Sequence, residues 1–371
     1  MRKILVTGAL GFVGRNVVLQ LSKREDITLF QVDIATPEEE FDRYINETDF
    51  VIHLAGVNRP KDDSEFVSGN SDLTKNILQK LSKRNEPIPF LMTSSIQSDL
   101  DNAYGRSKRE AENAVFQYMK DTGSKVYVFK LPNLFGKFSR PNYNSVVSTF
   151  CYNISHNIDI IINDPTRVLT LVYIDDLLKT VEMVLDGKLL PHGDGYCYVE
   201  VQHEISLKNL AKTIKLFHES RKTLVMPVLE GLNKKLYSTY LSYLEEDDFS
   251  YELVSHSDNR GGFYEFFKTE SLGQVSVSTT VPGITRGNHW HHTKVEKFLV
   301  VSGKAAIRFR KIGEEKVIEY IVSEDKKEVV DIPPGYTHSI TNISSDEILV
   351  TLIWANELFS QDNPDTFFEE V

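Results

Sequence analysis

Apolar and polar positions change their period twice along this chain. Residues 4–7 form a short β-favouring apolar run, glycines follow at Gly8, Gly11 and Gly14, and residues 13–21 carry apolar side chains at helical spacing. That succession predicts strand, tight turn and helix. Residues 29–32, 50–54, 90–93 and 126–131 repeat the buried type of strand, separated by charged stretches of helical period. Continuous apolar runs of this kind mark strands covered on both faces, so the first portion predicts an α/β doubly wound parallel sheet. From about residue 141 to 244 the pattern is mixed, with helices expected at 207–218 and 232–244, as in a substrate cap. Beyond Phe249 the texture turns to short strands rich in Val, Ile, Thr and Phe. They are punctuated at Gly261 and Gly262, Pro282 and Gly283, Ser302 and Gly303, and Pro333 to Gly335, which predicts an all-β barrel. Two domains are expected, residues 1–246 and 247–371.

Composition narrows the partners. With 371 residues, 41% hydrophobic and 26% charged, the chain has enough apolar material for two cores. A formal net charge of -11 leaves no surplus of Lys and Arg to neutralise phosphate along an extended track. Neither nucleic acid nor an anionic membrane is therefore expected as a partner. Cys151 and Cys197 lack metal or redox spacing and read as space-filling thiols of a reducing compartment, so a cytoplasmic location is expected. The opening apolar run is broken at Gly8, unlike a signal peptide or membrane span.

The chemistry of the first domain starts at the glycines. Gly8, Gly11 and Gly14 sit between strand and helix, where they allow a tight turn and bring backbone amides against a dinucleotide pyrophosphate; Phe12 and Val13 lie within that turn. Asp33, after the second strand, suits the two adenosine ribose hydroxyls and repels a 2'-phosphate, favouring NAD over NADP. Its other reading is a turn residue before Pro37. Arg2, Lys3 and Arg15 remain available for phosphate. Tyr104 and Lys108 stand four apart on a helix, so the ammonium lowers the pKa of a phenol used as general acid or base. The hydroxyl that would hold a carbonyl oxygen beside Tyr104 is Ser95, with Ser94 as the second choice.

In family order, the glycine turn, His53 to Gly56, Ser94 and Ser95, Tyr104 and Lys108, Pro132 to Gly136, and Tyr173 to Asp176 resemble the extended short-chain dehydrogenase/reductase family over the first two-thirds of the chain. The resemblance implies a Rossmann-type fold with NADPH or NADH bound across the sheet edge. It implies Tyr104 as proton donor, Lys108 on the nicotinamide ribose, Ala55 and Gly56 lining the cofactor, and Asn133 near a nucleotide sugar. The interval from Ser95 to Tyr104 is shorter than that branch uses, a departure that bears on local substrate geometry.

The second domain carries a separate signature. His289, His291 and Glu296, between Gly283 and Gly303, are completed by His338 in the segment from Pro333 to Asn342. This spacing resembles the metal-binding cupin family, which implies a barrel with four ligands converging in one cavity. A set of three imidazoles and one carboxylate suits Zn2+, with Fe, Mn or Ni as other divalent choices. Lys327 stands where the second cupin segment usually begins with glycine. His292 alternates to the opposite face from His291 and is expected not to be a ligand.

A reductase followed by a metal cupin resembles the bifunctional capsular polysaccharide enzymes of UDP-N-acetyl-L-fucosamine synthesis. What that implies is a UDP-linked 4-ketosugar, UDP-2-acetamido-2,6-dideoxy-4-ketohexose, epimerised at carbon 3 by the cupin and reduced at carbon 4 with NAD(P)H to UDP-2-acetamido-2,6-dideoxy-L-talose. A homodimer is expected. Arg59, Lys61, Lys137 and Arg140 are candidate diphosphate partners. The alternatives are a dehydratase or epimerase of another nucleotide sugar with a structural, dimerising cupin, a non-catalytic nucleotide-binding protein, and an Fe(II) oxygenase fused to a dehydrogenase.

Overall fold

The apolar runs of the first portion become β1 (Arg2–Thr7), β2 (Ile27–Val32), β3 (Phe50–His53), β4 (Phe90–Ser95) and β5 (Val126–Leu131). The structure, a computed structural model, describes residues 1–60, 62–360, 362 and 364–371. β6 (Asn133–Phe135), β7 (Val168–Tyr173), β8 (Tyr196–Cys197) and β9 (His203–Ser206) follow. The first sheet is parallel throughout, in the order β2-β1-β3-β4-β5-β8, and β6-β7-β9 form a small sheet beside it. Ile4, Leu5 and Val6 are fully buried on both faces, the reason their stretch is continuously apolar rather than alternating. One core lies on each face: Val17, Phe129 and Leu177 belong to one, Val51, Ile77 and Val115 to the other. Strand order reverses between β1 and its neighbours β2 and β3, so the carboxyl ends of these strands open the crevice where such sheets bind ligands.

The helix Ala103–Thr122 is bounded by local chemistry. Asn102 caps it by accepting a hydrogen bond from the Gly105 amide at 2.7 Å, and Gly123 ends it at φ +73°.

The chain divides into two units, residues 1–214 with 230–245 and residues 215–229 with 246–371. The division falls inside the helix Leu207–Thr223, which is longer than the 207–218 stretch of helical period because Leu224 continues its hydrogen bonding to Ser220. The helix expected at 232–244 is Gly231–Leu241.

The second unit holds β10 (Ser255–Asp258), β11 (Gly261–Thr269), β12 (Gly273–Thr280), β13 (Thr285–Trp290), β14 (Glu296–Ser302), β15 (Lys304–Lys311), β16 (Val317–Ser323), β17 (Val329–Ile332), β18 (Tyr336–Asn342), β19 (Leu349–Ala355) and β20 (Phe367–Phe368). They pair antiparallel in two sheets, β10-β11-β12-β19-β14-β17 and β16-β15-β18-β13-β20. Phe298, Val300 and Leu349 from the first meet Ile307, Phe309 and Ile340 from the second in one core. Among the described residues no helix is long and apolar enough to cross a membrane.

Candidate active site

At the end of β1 the chain turns at Gly8, with φ +67°. A Cβ on Gly14 would stand 2.0 Å from the Gly8 carbonyl oxygen, so the helix Phe12–Leu21 starts where it does only because that position is bare. Phe12 and Val13 turn their side chains to the core, and no side chain caps this helix end, which offers its first-turn amides to an anion. Asp33 closes the turn after β2. Its carboxylate accepts from the Leu10 amide at 3.0 Å and the Ile34 amide at 2.7 Å, while its carbonyl accepts the turn hydrogen bond from Thr36 at 2.9 Å.

His53 anchors the next strand end. Thr74 Oγ1 donates to the Asn70 carbonyl at 2.7 Å, so it accepts from His53 Nε2 at 2.9 Å, and Thr7 Oγ1 donates to His53 Nδ1 at 2.7 Å. Burial, with the nearby Lys108 cation, pushes the imidazole down to about 3 and keeps it neutral. A Cβ on Gly8 would meet the Ala55 amide nitrogen at 2.7 Å, and one on Gly56 would lie 3.5 Å from Lys108 Nζ. The fold therefore brings the glycine turn, Ala55, Gly56 and Lys108 into one contiguous lining.

Tyr104, Lys108 and Glu112 follow one another at four-residue steps along the helix Ala103–Thr122. Lys108 Nζ donates to the Thr93 carbonyl at 3.2 Å; burial pushes it down to about 8, against the Glu112 carboxylate, which works to raise it. Burial raises the Tyr104 phenol, and a hydrogen bond with Ser95 works the other way. Ser94 is committed elsewhere: it donates to the buried Glu112 carboxylate, which Tyr196 also reaches at 2.9 Å. Of the two hydroxyls, Ser95 faces the phenol. Glu112 had no reading in the sequence; its step of eight from Tyr104 was the available signal.

The outlying candidates separate. Asn133 is exposed and donates to the Thr170 carbonyl at 3.3 Å. Lys137 pairs with Asp175 at 3.0 Å. Arg59 and Arg140 stand over the same ring, Tyr143, at 6.0 and 5.3 Å. Lys61 lies outside the described residues. Cys151 and Cys197 are free and buried, their thiols raised by burial.

In the second unit one ligand atom from each of His289, His291, Glu296 and His338 lies within 4.8 Å of the others. β13 and β18 pair His289 with His338 across a bulge, and Glu296 opens β14. His291 Nε2 and His338 Nε2 lie 3.5 and 3.4 Å from the same Glu296 oxygen. Burial pushes His289 down to about 4. Burial works to raise the Glu296 carboxyl, but His291 and His338 outweigh it and hold it well below the usual range. His291 Nε2, Glu296 Oε2 and both nitrogens of His338 are buried without hydrogen-bond partners, the condition of donor atoms waiting on a cation. The residues therefore fit a divalent metal. His292 is exposed, its ring against Trp290 and Phe367.

Asp365 also escaped the sequence reading. Its carbonyl accepts from His291 Nδ1 at 2.6 Å, which leaves Nε2 facing the cluster. Its carboxylate accepts from the amides of His292, Thr293 and Lys294, each at 2.9 Å, and these amides hold it well below the carboxylate range although burial works to raise it.

The parallel sheet, the glycine turn and the Tyr-Lys helix define a nucleotide-dependent enzyme class. Residues 4–196 match the model of the NAD dependent epimerase/dehydratase family, and the chain belongs to that family, whose members use a nicotinamide cofactor. Residues 256–367 match the polysaccharide biosynthesis C-terminal domain. Over its whole length the chain is similar to the capsular polysaccharide assembling protein CapF of Staphylococcus aureus, with 46% identity, 99% and 100% of the two chains covered, and a TM-score of 0.93. A structure of CapF with the inhibitor 3-isopropenyl-tropolone is 42% identical, with a TM-score of 0.89 and both chains fully covered. The UDP-2-acetamido-2,6-beta-L-arabino-hexul-4-ose reductase of Pseudomonas aeruginosa is 47% identical across 98% of each chain.

Proposed function

We propose that the protein reduces carbon 4 of a UDP-2-acetamido-2,6-dideoxy-4-ketohexose with NAD(P)H, after the second unit, read as a cupin barrel, has epimerised carbon 3. The product is UDP-2-acetamido-2,6-dideoxy-L-talose. The observation that carries the reading is the joint presence of the Tyr104–Lys108–Ser95 constellation and the four-ligand cluster, in a chain 47% identical to a hexulose-4-ose reductase. In the reduction Ser95 holds the ketone oxygen, Tyr104 donates its proton to it, and Lys108 orients the nicotinamide ribose and favours the phenolate left behind. Gly8, Gly11, Gly14 and the amides of Phe12 and Val13 hold the pyrophosphate, and Asp33 the ribose. Asn133, Lys137 and Arg140 serve the substrate, with Arg140 and Arg59 on the Tyr143 ring best disposed toward a diphosphate.

A 4-ketone acidifies the carbon 3 proton, and a divalent metal held beside it would supply Lewis-acid stabilisation of the charge left when that proton is removed. His289, His291, Glu296 and His338 would hold that metal, Zn2+ as first choice. Reduction removes the activating ketone, which sets the order of steps. A homodimer fits the edge strand β16, which leaves Val317, Tyr320 and Ile321 about half exposed. The cytoplasm suits the free thiols.

Turnover of UDP-4-ketosugars with NADH and NADPH, with carbon 3 exchange followed in D2O, tests the reading. Tyr104→Phe should abolish nicotinamide oxidation and spare exchange; His291→Ala should lower metal content and exchange together. Wild-type nicotinamide oxidation by Tyr104→Phe would remove it as proton donor.

A further inference from the structure

A metal held by the four-ligand cluster would explain only part of the unpartnered polarity between the two sheets of the second unit. His291, Glu296 and His338 are accounted for, but Arg286 Nε and Nη2 and Ser276 Oγ are also buried without hydrogen-bond partners among the described residues. Arg286 pairs with Ile340 on β18, and Ile340 belongs to the core between the sheets. His289 pairs with His338 on the same two strands, so Arg286 enters the space that holds the ligand cluster, about 7 Å further along. From the facing sheet, β12 buries Gln274, Ser276, Ser278 and Thr280 at alternate positions. Gln274 is spent on the Phe359 amide at 3.1 Å, and the small hydroxyls that follow are further polar groups on the inner wall of this sheet.

Nε and Nη2 form one edge of the guanidinium, whose parallel N–H bonds match two oxygens of a single anion. The acid that acts on Arg286, Asp258, does not occupy this edge; it is bound to Arg260 through both side chains, at 2.9 and 2.6 Å, and to the Arg260 amide at 2.8 Å. Two guanidinium N–H groups held out of water without an acceptor are costly, and a binding site explains why they are there. An enolate offers one oxygen, whereas a phosphate offers the pair that the free edge fits.

We propose that Arg286 is an oxyanion-binding residue of this site, its Nε–Nη2 edge taking two oxygens of the diphosphate of a nucleotide sugar whose ring lies against the metal ligands. The assignment rests on the nucleotide-sugar function proposed above.

The test uses the full chain loaded with Co2+ and titrated with UDP, and separately with inorganic phosphate, while the phosphorus resonances are followed for broadening by the cobalt. UDP should broaden in the wild type. Arg286→Gln should weaken that binding roughly 10- to 100-fold, the weight of a charge-assisted pair, and Arg286→Lys should fall between, keeping charge without the fork. An unchanged cobalt absorption spectrum in each variant shows that the metal cluster is intact. Equal UDP broadening in Arg286→Gln, none in the wild type, or failure to take up cobalt overturns the proposal. Arg286-dependent broadening of phosphate but not of UDP also overturns the diphosphate assignment. Arg286-dependent UDP broadening without turnover of any UDP-4-ketosugar upholds the anion site while refuting the proposed reaction.

Discussion

Replacing Glu112 by Gln isolates the charge beneath the proposed catalytic pair. The substitution keeps the shape of the side chain; Ser94 and Tyr196 donate to different oxygens of Glu112, so the Gln oxygen accepts from one hydroxyl while its amide donates to the other, and the negative charge one helical turn from Lys108 is lost. Groups four residues apart on a helix are ~6 Å apart, and at an effective dielectric of ~20 the lost attraction is about 3 kcal/mol, or about two pH units for the lysine. Lys108 stands at about 8 with Glu112 working to raise it, so the variant's ammonium should lose its proton at a lower pH. Because the proposed mechanism needs the charged form, the alkaline limb of kcat for ketone reduction should move from near 8 toward ~6, with little change at pH 5.5. Rapid-mixing measurement of nicotinamide absorbance across this range reads the limb directly. A limb that stays in place, in a variant with the wild-type melting temperature, would show that Glu112 does not set the charge of Lys108.

Asp33→Ala should relieve repulsion of a 2'-phosphate and raise the kcat/KM ratio of NADPH over NADH; an unchanged ratio in matched assays would sink the role given to this carboxylate. Asp365→Ala removes three amide contacts around the loop between His291 and Glu296 and should weaken metal binding roughly 10- to 100-fold in competition with a chromogenic chelator. Asn102→Ala should cost about 1 kcal/mol in chemical denaturation through the lost cap, and no measurable loss would mean the helix Ala103–Thr122 is set by packing alone.

The parallel sheet, the glycine turn and the ligand spacing were legible because each is written in local period or short intervals. Ile4 to Thr7 reads as a buried strand wherever it lies, and Tyr104 and Lys108 share a face in any helix. What only the tertiary structure decided are relations between distant residues. Ser95 rather than Ser94 meets the phenol because Glu112, 18 residues from Ser94, takes the other hydroxyl. Asp365 orients His291 across 74 residues, and no period links them. Arg286 looks like an ordinary strand cation until the pairing of β13 with β18 turns it inward with His289. A chain's periodicity states which face each side chain takes on its own element; which groups then meet in the interior depends on register and burial, and these arise only when the elements pack.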